Sequence, residues 1–322
     1  METSEKILKL IGERGQISAS EIADELNISR QALYRHLTKL LSGGQLIKIG
    51  RPPKVFYALG EKSPEKIVYD VSGETREIIE NNYLIITPNG ERLNGFSGFV
   101  YWCEKHKLPV EKTAKEYAET LKKYAVFKKD DLIDGMSRMR GTFKAVYLDA
   151  VYYLDFYSIE RFGKTKLGQM LLYAKQSQNK KLMRELIDDI KPTIEKLVGK
   201  MNISGVGYIS PTVKRDVQFM SELRKKLNLP VKEVVITKIK TDIAVPQKTL
   251  NKLEDRIENA QRTFVVEETG YYDTILLLDD AVGSGATLNE IARKIKEKKI
   301  AKKVIGLAIT GSFKGIDVIS EV

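Results

Sequence analysis

Apolar residues recur at helical spacing through the first forty positions and then give way to short strand-like runs. Ile7, Leu8 and Ile11 mark an amphipathic helix over 4–12. Ile22, Ala23 and Leu26 mark a second, with Ser18 or Ser20 as its N-cap; Glu21 follows Ser18 at the capping-box spacing. After the turn Asn27-Ile28-Ser29, the spacing predicts a third helix over 30–41, capped by Ser29 and turning Leu33, Leu37, Leu40 and Leu41 inward. Arg30, Gln31, Tyr34, Arg35 and Thr38 are left on the outer face, and His36 reads as a surface or boundary residue. Gly43-Gly44 stops this helix. Residues 46–49 and 55–59 then read as two strands joined by Gly50-Arg51-Pro52-Pro53-Lys54.

From 61 to 145 the pattern is mixed. Residues 84–86 read as a strand before a Pro88-Asn89-Gly90 turn, and 111–123 as a helix with Ala114, Tyr117, Ala118 and Leu121 on one side. Phe96, Phe99, Tyr101 and Trp102 read as core. This stretch is expected to be an α+β connector and a possible dimerisation region.

Beyond 146, strands alternate with helices, as in a parallel α/β sheet. Residues 205–210 and 234–239 read as consecutive strands, with a helix over 217–227 between them. A polar helix or hood is expected at 250–261, and a last strand at 304–309. Between these lies the run Thr274-Ile275-Leu276-Leu277-Leu278-Asp279-Asp280. Its apolar residues predict a strand covered on both faces. It ends in two carboxylates, followed by the small-residue loop Ala281-Val282-Gly283-Ser284-Gly285-Ala286-Thr287 and a helix with Leu288, Ile291, Ala292 and Ile295 on one stripe. Loop amides and a helix N-terminus favour phosphate, while paired carboxylates accept sugar hydroxyls or a divalent cation. A Rossmann fingerprint would need Gly-x-Gly-x-x-Gly, and a P-loop would need a following Lys; neither is present.

Composition narrows the classes. With 42% hydrophobic and 30% charged residues, the 322-residue chain is expected to be soluble, with two or three domains. The opening Met-Glu-Thr-Ser-Glu-Lys lacks the charged-then-apolar layout of a signal peptide, so a cytoplasmic location is expected. No apolar run approaches the roughly 20 residues of a membrane span. One cysteine and two histidines exclude an internal disulfide and multi-cysteine zinc sites. A net charge of +11 favours polyanionic partners.

Three helices followed by a β-hairpin resemble the winged helix-turn-helix domains of bacterial and archaeal regulators. The resemblance implies double-stranded DNA as a partner, and a homodimer is expected as the working state. Ser29, Arg30, Gln31, Tyr34 and Arg35 would lie at the major groove, with Lys48, Arg51 and Lys54 of the wing on phosphates. Use of the domain for dimerisation or protein contact alone is the alternative.

The strand, acid pair and loop around Asp279 resemble the ribose-5-phosphate motif of type I phosphoribosyltransferases. That family uses phosphoribosyl pyrophosphate (PRPP) and Mg2+. The resemblance implies that Asp279 and Asp280 meet the ribose as catalytic residues, contacting the metal only through PRPP, and that 281–287 cradle the 5-phosphate. Three further pieces are similar to the ComF-like branch. They are Tyr152-Tyr153 with Lys175, ahead of the first strand; Ser210-Pro211 and Arg215 as a pyrophosphate loop; and Gln247, Leu250, Arg256, Asn259 and Phe264 ahead of the acidic strand. Lys240, Gln247, Arg256 and Asn259 would belong to a hood closing over the site. This branch usually begins with a cysteine-rich zinc finger, where here a winged helix stands. Its Arg-Gly-Phe-Asn-Gln run is altered to Lys214-Arg215-Asp216-Val217-Gln218.

The expected architecture is therefore a winged helix-turn-helix over 1–60, a connector over 61–145 and a phosphoribosyltransferase-like α/β domain over 146–322. Two functions follow. One is a DNA-binding regulator that senses PRPP or a nucleotide, as bacterial purine repressors use a transferase fold for sensing. The other is an active, Mg-dependent phosphoribosyltransferase with a recruitment domain. A scaffold without ligand is the remaining alternative.

Overall fold

The computed structural model describes residues 2–60, 68–211, 213, 215–239, 242–243 and 245–312, with the Lys248 side chain excepted. The chain forms two units, Met1–Asp70 and Val71–Val322.

In the first unit, α1 (Thr3–Arg14), β1 (Gln16–Ser18), α2 (Ala19–Leu26) and α3 (Arg30–Ser42) precede the hairpin β2 (Leu46–Arg51) and β3 (Lys54–Leu59). Ser18 caps α2 in a reciprocal capping box with Glu21, and the Ser29 hydroxyl accepts from the Ala32 N–H at the start of α3. Ile7, Ile11, Ile22, Leu33 and Leu37 are almost fully buried and form one core. The strands extend further than their apolar residues suggest, to Arg51 and from Lys54, so the hairpin turns on Pro52-Pro53 alone. β1 was not evident from periodicity because it has only three residues; it pairs with β3 as a third strand.

The second unit begins with α4 (Gly73–Asn82), β4 (Leu84–Ile86), β5 (Arg92–Asn94), α5 (Gly95–Lys105) and α6 (Val110–Ala125). Tyr83, Phe99 and Tyr117 pack ring against ring there, as core aromatics. Next come β6 (Lys128–Lys129), β7 (Leu132–Asp134), α7 (Met136–Thr142), β8 (Ala150–Phe156), the small hairpin β9 (Ser158–Ile159) and β10 (Gly163–Lys164), and α8 (Lys166–Ser177) and α9 (Lys180–Lys200). The remainder is β11 (Gly205–Tyr208), α10 (Phe219–Leu227), β12 (Lys232–Glu233), β13 (Ile236–Lys238), α11 (Leu253–Thr263), β14 (Phe264–Val266), β15 (Tyr272–Val282), α12 (Ala286–Glu297) and β16 (Ala301–Gly311).

A seven-stranded sheet has the order β12-β11-β15-β16-β8-β7-β6. The five strands from β12 to β8 are parallel, and β7 and β6 add an antiparallel edge. The stretch read as a connector thus contributes two strands to the main sheet and lies within its unit. Leu276, Leu278, Ile305, Leu307 and Ile309 bury one face under α8, α9 and α10. Residues of the opposite parity meet α12, where Leu288 Cδ1 lies 3.1 Å from the Cβ position of Gly306. The sheet is covered on both sides, as the uninterrupted apolar run of β15 requires.

Two elements differ from the sequence reading. Residues 234–239 were expected to form one strand of the main sheet. Instead β12 pairs at the sheet edge through Glu233, the Val234 N–H bonds the Val206 carbonyl, and the chain then leaves the sheet. Its continuation, β13, pairs with β14 in a separate antiparallel hairpin. Gly207 permits this crossing, because a Cβ there would lie 2.4 Å from Ile236 Cδ1. Tyr152-Tyr153, expected ahead of the first strand, instead lie inside β8.

Candidate functional site

Connectivity locates a crevice before any side chain is considered. From β11 the chain crosses through α10 to β12 on one side; from β15 it crosses through α12 to β16 on the other. The loops leaving the carboxyl ends of these adjacent strands therefore diverge, which opens a cleft at a topological switch point, the usual ligand position in open α/β sheets. A cavity of about 190 Å³ lies there.

The loop after β11 brings Ser210, Pro211 and Arg215 to the cavity, and β15 with its loop brings Asp279, Asp280 and every residue from Ala281 to Thr287. Gln247 approaches from the 3-10 turn Gln247–Thr249 and Arg256 from α11. Asn259 does not line the cavity. It supports its neighbour, accepting from Gln247 Nε2 at 3.2 Å, while the same amide donates to the Arg256 carbonyl at 3.0 Å. Arg256 is buried, and its Nε donates to the Leu250 carbonyl at 2.7 Å. Lys240 lies outside the described residues, as does Lys214.

The loop itself is shorter than the sequence suggested, because Ala286 and Thr287 already form the first turn of α12. Gly285 is the N-cap at φ 85°, a left-handed conformation that favours glycine, and the Ser284 hydroxyl accepts from the Ala286 N–H at 3.3 Å. A second reason for glycine comes from α7: a Cβ on Gly285 would lie 2.5 Å from Met139 Sδ. The first residues of α12 thus line the cavity, and Met139 of α7 packs against the glycine that starts the helix.

Two lysines that the resemblance did not place as site residues hold the acids. Lys175, on the buried side of α8, meets Asp280 at 2.9 Å, with the two side chains only 10% and 14% exposed. Lys238, on β13, lies 4.6 Å from the Phe264 ring centre and within electrostatic reach of Asp279. Burial lowers Lys238 to about 8, opposed by the Asp279 charge. Burial also pushes Asp279 up to about 7, helped by the negative charge of Asp280 and opposed by the Asp280 N–H, Lys175 and Lys238. The sequence carried a signal for both lysines. Each stands beside buried apolar residues, Lys175 directly after Met170-Leu171-Leu172 and Ala174 on α8, and Lys238 two residues after buried Ile236 on β13. Four cations, Lys175, Arg215, Lys238 and Arg256, thus share this cavity with two carboxylates. Such a balance favours an anion bearing hydroxyl groups.

In the first unit, Ser29, Arg30, Gln31, Tyr34, Arg35 and Thr38 are exposed on α3, as are Lys48, Arg51 and Lys54 on the hairpin. Ser29 serves as the N-cap of α3. Helix and hairpin together present a basic, hydrogen-bonding surface suited to a duplex groove and its flanking phosphates.

Comparison with known families matches residues 3–51 to the HTH domain family. The N-terminal unit is therefore a helix-turn-helix domain of the DNA-binding type. No curated protein matches the chain. No helix among the described residues is long and apolar enough to cross a membrane.

Proposed function

We propose that this chain is a DNA-binding transcriptional regulator whose second unit is a phosphoribosyltransferase-like domain that binds PRPP or a nucleotide. The observation that carries the reading is convergence. Asp279, Asp280, the loop to Thr287, Ser210-Pro211, Arg215 and Arg256 come from distant parts of the sequence to one cavity. The ribose hydroxyls would donate to the aspartates, the 5-phosphate would sit on the α12 amides, and the cations would hold the pyrophosphate. Ribose hydroxyls would compete with Lys175 for Asp280, so the ion pair turns towards the pyrophosphate as the site fills.

Magnesium suits the hard oxygens of Asp279 and Asp280. Among the described residues no group of three or more metal-ligating side chains gathers. The ion would be held chiefly by the ligand's oxygens, with the aspartates acting through the ribose. When bound, it neutralises pyrophosphate charge.

As a sensor, the domain affects DNA only if ligand binds one state of the protein better than another. A typical coupling of about 1–3 kcal/mol changes operator affinity roughly 5- to 150-fold. Calorimetric titration with PRPP, with and without magnesium, tests the site. Gel shifts on a selected operator at fixed salt, with and without PRPP, test the coupling. No heat of binding refutes the ligand, and unchanged operator affinity refutes the sensor. Pyrophosphate release from PRPP with a base or amine acceptor would instead identify an active Mg-dependent transferase with a recruitment domain.

A further inference from the structure

The two acids of the Asp279 crevice diverge. Adjacent residues of a strand point to opposite sides of the sheet, and each acid meets a lysine on its own side. Asp280 follows Leu276 and Leu278 towards α8, where Lys175 Nζ lies 2.9 Å from its Oδ2. Asp279 follows Leu277 to the other side, towards β13. There Leu277 and Ile236 both border the Cβ position of Gly207. Two residues further along each strand, Asp279 and Lys238 reach the cavity within electrostatic range of each other. Asp279 Oδ1 also accepts the Asp280 N–H at 2.8 Å.

This arrangement bears on what carries the charge of a phosphorylated ligand. Magnesium keeps several waters and bridges ligand phosphates to one or two carboxylates. Here each carboxylate already has an ammonium group beside it, and cations a few ångströms apart repel. The charged residues lining the cavity are Lys175, Arg215, Lys238 and Arg256 against Asp279 and Asp280, so positive charge is in excess before any ligand enters. Sugar hydroxyls that engage the aspartates would leave both lysines to the phosphate oxygens, which accept strong, charge-assisted hydrogen bonds. Side chains fixed to the fold would then do the neutralising that a divalent ion does elsewhere.

We propose that this crevice takes its phosphorylated sugar as the metal-free anion, with Lys175 and Lys238 doing the work of the divalent ion. The inference rests on the crevice being a phosphosugar site and adds the form in which the ligand is bound. Magnesium, when present, rides on the outer oxygens of the ligand, and affinity does not depend on it.

The test is calorimetric titration of the full chain with PRPP and with ribose 5-phosphate, each in EDTA and in millimolar magnesium. PRPP is expected to bind in EDTA with an affinity within roughly threefold of that in magnesium. Lys238→Met keeps an unbranched apolar side chain over the Phe264 ring. It should weaken PRPP in EDTA by roughly tenfold or more, as expected for a lost charged hydrogen bond, and magnesium should restore most of the loss. Arg215→Met, on the half-buried loop after β11, should behave in the same way and decides the matter if Lys238→Met does not fold. Trp102 fluorescence shows whether each variant is folded. PRPP binding that needs magnesium, or that tightens roughly tenfold or more with it, overturns the proposal and leaves the phosphosugar site standing. Folded variants that bind PRPP in EDTA as tightly as the parent chain overturn it as well. Absence of binding by both PRPP and ribose 5-phosphate in either buffer overturns the phosphosugar reading itself, and this inference with it.

Discussion

Replacing Lys175 with Met should destabilise the second unit by about 3 kcal/mol. The side chains of Lys175 and Asp280 are 10% and 14% exposed, and their charged atoms are 2.9 Å apart. Removing one partner of a buried pair costs about 3–5 kcal/mol, because the other charge is left uncompensated. The lower end applies here because the crevice admits water, and Met preserves most of the lysine's packing volume. The remaining Asp280 charge also lies beside Asp279, whose carboxyl it already pushes upward. Trp102, the only tryptophan, belongs to the second unit, so its fluorescence follows that unit apart from the helix-turn-helix domain. With a urea m value of about 3 kcal/mol/M, the midpoint should fall by about 1 M at neutral pH. Asp280→Asn added to Lys175→Met should recover most of the loss, since no unpaired charge then remains. A midpoint shift below about 0.2 M in the single variant, or no recovery in the double, would refute the argument that this pair is held as a buried ion pair.

Other expectations follow from the same geometry. Asp279 is raised from about 4 to about 7 in the folded state, so between those values the folded unit holds a proton that the unfolded chain has released. Stability from this group is greatest at low pH and is lost as pH rises towards 7. The ionised carboxylate accepts a sugar hydroxyl more strongly than the neutral acid does, so under the proposed function PRPP affinity should rise between pH 5.5 and pH 7.5, taken as roughly the span of this titration. Asp279→Asn should flatten both trends, as urea melts and calorimetry would show. Gly285→Ala should cost about 2 kcal/mol or more, from a left-handed φ and from the contact with Met139, and it should weaken phosphate binding in parallel. Arg256→Met should loosen the α11 cover by about 1–3 kcal/mol through loss of its bond to the Leu250 carbonyl, seen as faster hydrogen exchange across Leu253–Thr263. Arg51→Ala or Lys54→Ala should lower the salt slope of DNA binding by about 1 with little change in sequence preference, whereas Arg35→Ala should relax the preference itself.

Much of this architecture was legible because its signals are local. Caps at Ser18 and Ser29, and the leucine spacing of α3, depend on neighbours within a turn or two, and they define the helix-turn-helix. The strand–acid–loop–helix run at 275–295 is equally local. The division of 234–239 into a sheet edge and a separate hairpin was not legible, since it depends on Gly207 leaving room for Ile236 from another strand. Nor did periodicity give β8, where Tyr152-Tyr153 and Asp155 break the apolar pattern in a strand whose pairing with β16 lies about 150 residues away in sequence. The two lysines in the crevice occupy an intermediate position. A cation beside apolar residues is visible in the sequence, but only the fold shows that both lead to the same pair of acids. Lys175 in particular depends on the placement of α8 over the main sheet.

The support behind Gly285 has a consequence for ancestry and engineering. Met139 belongs to a helix that precedes the first parallel strand, yet it props the turn that follows the fourth in chain order. The segment before the α/β pattern is thus structurally inseparable from it: a fragment beginning near residue 146 would lack both the edge strands and the prop. Any transplant of this crevice onto another DNA-reading module would need its junction near residue 70, where the chain passes from one unit to the next.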